Sequence, residues 1–171
     1  MDLKKLSRGE MIIGVSGIIL FLSSFLDWFG IEYKGSPGIS GAESAWSFTL
    51  PLFAVLLGIA MVVLVALRAF GVVLPEKVGG FGFRLLYLLG GIAFLLVLLK
   101  VIVGPSYDTG PFDDAFNKTR ELGAYIGLLC TIGLSVGGFM AAKEAGDLDE
   151  LLNKRNAGGG DASPPSGPPA A

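Results

Sequence analysis

Residues 85–99 read LLYLLGGIAFLLVLL, and no helical face within them offers a polar stripe. A helix of a soluble bundle shows polar residues on one side at a period of 3.6. This segment has nothing to turn toward water at any angle. At about 1.5 Å rise per residue, a helix of some twenty residues crosses a hydrocarbon core roughly 30 Å thick. The stretch therefore reads as the centre of a membrane span over 85–103.

The same pattern recurs along the chain. Charges gather in short islands that leave further apolar stretches at 11–29, 49–67 and 122–142. The 171 residues are 52% hydrophobic and 16% charged, with a mean hydropathy of +0.67, outside the usual balance of a soluble domain. The sequence predicts an all-α four-helix transmembrane bundle over residues 1–145. A short amphipathic segment over 146–155 carries Leu148, Leu151 and Leu152, and a Gly/Pro/Ala/Ser-rich tail over 156–171 cannot bury a core and is expected to be disordered. The N-terminus has the basic start of a secretory signal. Its long apolar run and the absence of a small-x-small site in SSFLDWFG predict that it is retained as the first span.

Nine of the thirteen Lys and Arg residues fall in the N-terminal tail, the 68–84 connection and the C-terminal tail. The positive-inside rule then places both termini and the 68–84 connection in the cytoplasm, and a multi-pass plasma-membrane location is expected. Trp28, Tyr33, Trp46 and Tyr107 fall at or beyond the outer span ends, the depth that amphipathic rings prefer. In the first outer loop, IEYK before GSPG supports a short β-hairpin. The inner connection reads as a turn on Pro75 and the Gly79-Gly80 pair.

Two ionisable residues stand within apolar runs. Asp27 lies close to the outer end of the first span and Lys100 close to the outer end of the third, where its stem can snorkel. Equal depth makes Asp27 and Lys100 a candidate intramembrane ion pair; separate solvation at the interface is the simpler alternative. Span four carries Gly123-x-x-x-Gly127 and Gly133-x-x-x-Gly137, candidate helix-packing patches that serve either another span of the chain, opposite Ala54-x-x-x-Gly58 or Gly90-Gly91, or a second copy.

Other features carry less chemistry. Asp108, Asp113, Asp114 and Asn117 do not match the spacing of a calcium loop and read as a solvated acidic loop. DTG at 108–110 is a lone tripeptide without the second carboxylate an aspartic protease needs. There is no histidine and a single cysteine, Cys130, so a disulfide within the chain and a Cys-rich metal site are excluded. With a net charge of −2 there is no basic footprint for nucleic acid. No catalytic constellation, metal site or cofactor is expected.

A first span ending FLSSFLDWFG, a Gly/Ser loop closing on ESAW, a third span ending LLKVIVGP and a fourth reading RELGAYIGLLCTIGLSVGGFMAAKE resemble the small four-span integral membrane proteins abundant in actinobacteria. Asp27 stands where many of these have proline before the tryptophan. The resemblance covers roughly residues 8–145 and implies location and fold without assigning catalytic or ligand residues. The expected function is non-enzymatic, a structural or accessory role with the lipid bilayer and a membrane-protein partner or second copy as contacts. The alternative is a small transport or channel component using Asp27 and Lys100.

Overall fold

The computed structural model describes residues 6–35, 40–70, 82–105, 107 and 114–146, with 82–84 described by backbone alone. The 70–81 turn beyond Phe70, the segment with Leu148, Leu151 and Leu152, and the tail lie outside these residues.

Four helices form: α1 over Arg8–Ser23, α2 over Thr49–Ala69, α3 over Gly82–Val103 and α4 over Leu122–Glu144. They pack as a ring in which each helix touches its neighbours in sequence and α4 closes back onto α1. Three of them, α2, α3 and α4, are long and apolar enough to cross a membrane. The expected second, third and fourth spans thus correspond to helices.

The first segment differs from expectation. A helix predicted over 11–29 instead runs from Arg8 to Ser23, 16 residues or about 24 Å. Its start is fixed by a capping box: Ser7 Oγ accepts from Glu10 N–H at 3.2 Å, and the Glu10 carboxylate accepts from Ser7 N–H at 2.9 Å. Its end is fixed by two serines. Ser23 Oγ and Ser24 Oγ donate to the carbonyls of Leu20 and Phe21 at 3.0 and 2.6 Å, and the chain turns away.

The all-α expectation also needs correction, because a three-stranded antiparallel sheet caps one end of the bundle in the order β2-β1-β3. Its strands are β1, Asp27–Tyr33, β2, Ser40–Ser44, and β3, Phe116–Arg120. The hairpin anticipated in the first loop is β1–β2. The third strand comes from the other loop and pairs with the far edge of β1, Ile31 opposite Lys118 and Tyr33 opposite Phe116. A single-turn 3-10 helix, Ala45–Ser47, leads from β2 into α2.

Small residues let the helices come close. A Cβ on Gly137 would lie 2.9 Å from the carbonyl oxygen of Gly9, so α4 and α1 meet almost backbone to backbone. On the α3 side a Cβ on Gly90 would lie 2.8 Å from Leu134 O, and Ser135 Oγ stands 2.8 Å from Gly90 O. The core between the four helices is filled by Ile13, Leu20, Met61, Val97 and Leu134. At the end opposite the sheet, buried Glu10 meets Arg68 of α2 at 3.5 Å, tying the start of α1 to the end of α2.

Candidate functional site

The sheet end of the bundle gathers the chemically distinctive side chains. Trp28, at the second position of β1, is fully buried and points its ring at α4. Gly127 and Gly123 leave the space it occupies: a Cβ on Gly127 would collide with the six-membered part of the indole, and one on Gly123 with Asp27 O and Trp28 Cδ1. The indole N–H donates to Ser23 O at 2.8 Å, a second donor to a carbonyl at the end of α1 that also accepts from Leu26 N–H at 3.1 Å. Strand, α1 terminus and α4 are thereby joined through one side chain.

Of the two small-residue patches singled out in the sequence, the first serves this indole rather than a helix. The second packs within the chain, Gly137 on Gly9 and Ile13 and Gly133 on Ser16, all of α1. Trp28, expected among headgroups, lies in the interior; Trp46 is the tryptophan at the surface, 38% exposed, with its N–H donating to Ser24 Oγ at 3.1 Å.

Asp27 and Lys100 occupy different surroundings. Asp27 is exposed at the start of β1, opposite Ser44, and not on a helix. Lys100 is 8% exposed, and its ammonium lies over the rings of Phe48 and Phe29, 4.8 and 5.8 Å from their centroids. The expected ion pair is not among the described contacts of these two residues. Phe48 and Phe29 meet edge to face at 5.0 Å, and Tyr107 meets Phe48 at 5.8 Å. The lysine charge therefore faces the electron-rich π-systems of a small aromatic cluster. Replacing Lys100 by Met keeps the stem and removes the charge. This change is expected to lower stability by about 1–2 kcal/mol. Unfolding measured in detergent should show a smaller loss for the same change in a Phe48→Leu background.

Tyr107 closes the cluster from above, donating its hydroxyl to Phe29 O at 2.9 Å. Burial, followed by the nearby carboxylates of Glu43 and Glu121, pushes its phenol up from 10.0 to about 12. Between those values the unfolded chain has released the phenol proton while the folded chain retains it. Stability from this group is therefore complete below pH 10 and is lost as pH rises toward about 12. Alkaline unfolding curves are expected to show this decline, and Tyr107→Phe should flatten it.

The remaining groups fasten the sheet to the helix ends. Arg120 of β3 donates from Nε to Val101 O at 2.6 Å and from its guanidinium to Ile102 O at 3.2 Å. It caps the C-terminus of α3, where positive charge is favoured. Gly104 follows at φ +83°, in the left-handed conformation that ends such helices, with its N–H donating to Lys100 O at 2.8 Å. Glu121 stands just before α4; its N–H donates to Trp28 O at 2.9 Å and its carboxylate accepts from Thr119 Oγ1 at 2.8 Å.

No group of three or more metal-ligating residues occurs among the described residues. Asp114 and Asn117 of the acidic loop are described and Asp108 and Asp113 are not; the Asp114 backbone carbonyl accepts from Lys34 Nζ at 2.7 Å.

Sequence reasoning missed the partners of Trp28, Tyr107 and Phe48, because apart from the Trp28–Ser23 hydrogen bond these contacts join residues far apart in the chain. One local signal was present, the Ser7-x-x-Glu10 capping box, which sets the start of α1. The chain matches no protein-family model, and no curated protein matches it.

Proposed function

We propose that the chain is a non-enzymatic, four-span plasma-membrane protein in an accessory role, whose bundle holds a small sheet at the outer face for contact with another protein. The fourth crossing is assigned to α1 although it is short. Its start meets the end of α2 through Glu10 and Arg68, and its end meets the 3-10 helix that leads into α2, where Ala45 N–H donates to Ser24 O at 3.2 Å. The chain from Ser7 to Ser24 therefore runs from the end of α2 to the turn that precedes it.

The observation that carries the reading is the anchoring of Trp28 between Gly123 and Gly127. It holds the strands rigidly against the bundle while Glu32, Glu43 and Lys118 remain exposed. A fixed polar platform on an apolar bundle suits recognition. The positive-inside count supports the outer placement of that platform.

Two measurements test this. In intact cells, a Cys130→Ala protein carrying Glu43→Cys should react with a membrane-impermeant maleimide. Failure to react until the cells are opened would reverse the orientation. In native membranes, a photo-crosslinking residue on the sheet should give discrete protein adducts. Adducts absent at every sheet position, together with solute flux in liposomes that Lys100→Met abolishes, would replace the accessory role with transport.

A further inference from the structure

Sheets of soluble and membrane-bound domains protect their edges. An unpaired strand is a row of open N–H and C=O groups, and lysines, prolines and bulges on the edge discourage a further strand from adding. The two edges of this sheet differ in that respect. On β3, Lys118 and Arg120 stand on the outer strand, and Arg120 is committed to the α3 terminus. On β2 the residues are Ser40, Gly41, Ala42, Glu43 and Ser44, with no basic residue and no proline. Ser40 to Glu43 are all exposed. Its pairing with β1 is regular from Glu43 to Ser40, the one irregularity lying at the far end between Asp27 and Phe29. Four of its five residues are Ser, Gly or Ala, and among the described residues no strand pairs with its outer side.

Charge narrows the choice of occupant. The exposed ionisable groups on β2 and on the β1 positions paired with it, Asp27, Glu32 and Glu43, are all acidic. A second copy of β2 paired antiparallel about Ala42 would set Glu43 opposite Gly41 and bring the two Glu43 carboxylates to diagonal positions, where like charges oppose association. A basic strand meets no such opposition.

Resting on the accessory reading above, we propose that the open edge of β2, Ser40–Ser44, is a strand-addition site for an extended, basic segment of a partner protein. Main-chain hydrogen bonds supply the affinity and Glu32, Glu43 and Asp27 select for lysine or arginine.

The test uses the full chain in phosphatidylcholine nanodiscs and, as probe, a fluorescent peptide of alternating threonine and lysine, followed by anisotropy. Its control is the same peptide N-methylated at alternate residues, which keeps every charge and cannot form the ladder. Saturable binding is expected, weakened about tenfold or more by N-methylation, the equivalent of one or two lost hydrogen bonds. The Glu32→Lys/Glu43→Lys protein should weaken it to a similar degree, and exposed positions make that variant one that folds. Equal binding of both peptides would mean charge attraction alone and overturn the proposal. So would absence of saturable binding, or spontaneous disulfide dimers of a Cys130→Ala/Ala42→Cys protein in the bilayer, which would assign the edge to a second copy. If the peptide assay fails while native-membrane crosslinks form from β3, the accessory role stands and the β2 edge alone is removed.

Discussion

Trp28→Ala is expected to cost about 3–5 kcal/mol, the range for emptying a large aromatic from a packed site. Three separate consequences contribute. The indole leaves a void against Gly123 and Gly127, Ser23 O loses the shorter of its two hydrogen bonds, and β1 loses its anchor on α4. The loss can be tested for its cause by size exchange. Gly127→Val alone should also destabilise, by about 1–3 kcal/mol, because the added carbons meet the ring. In the Trp28→Ala background the same valine enters vacated space, so the double variant should be more stable than the sum of the two single losses. Unfolding of all four proteins in one detergent measures the coupling; strictly additive losses would show that indole and glycine do not share a site.

Gly137→Leu is the second large effect, at about 3 kcal/mol. The nearest neighbours of an added Cβ are Gly9 O, Ile13 Cγ1 and Ile13 N, two of the three being backbone atoms of α1. Backbone atoms cannot rotate aside, so α1 must move away from α4 as a whole. That movement pulls on the Glu10–Arg68 pair at the same end of the bundle. Gly14, by contrast, has open space around its Cβ position, and Gly14→Leu should leave the melting temperature nearly unchanged. Helix propensity favours leucine over glycine in both variants, so a comparable drop in both would mean that added bulk in itself, not the α1–α4 contact, sets the effect.

How far the chain could be read before its structure depends on the range of the interactions. Helices α2, α3 and α4 were legible because hydropathy alone marks them: a run such as 85–99 belongs to a helix long and apolar enough to cross a bilayer. The end of α1 was not. Phe25, Leu26, Trp28 and Phe29 continue the apolar run past Ser24, and apolar residues in succession look alike whether they continue a helix or enter a buried strand. Strand β3, reading FNKTR, has weak strand character of its own and is specified by the free edge of β1.

The candidate site follows the same division. That Gly123 and Gly127 admit a close neighbour was visible in their spacing, but that the neighbour is an indole from a strand was not. Lys100 was visible as an outlier in an apolar segment. Its aromatic surroundings come from Phe29 and Phe48, about seventy and fifty positions earlier in the chain, and no local pattern encodes them.

The pinning of the sheet by Trp28 is measured most directly in a Trp46→Phe protein reconstituted in bilayers, where Trp28 is the only fluorophore of its kind. Enclosed between β1, the end of α1 and α4, its emission should be shielded both from acrylamide in the water and from brominated lipid tails. Quenching by brominated tails would put the ring on the lipid-facing surface of an extended first helix, and quenching by acrylamide would put it in the aqueous loop; either result contradicts a sheet locked to the bundle.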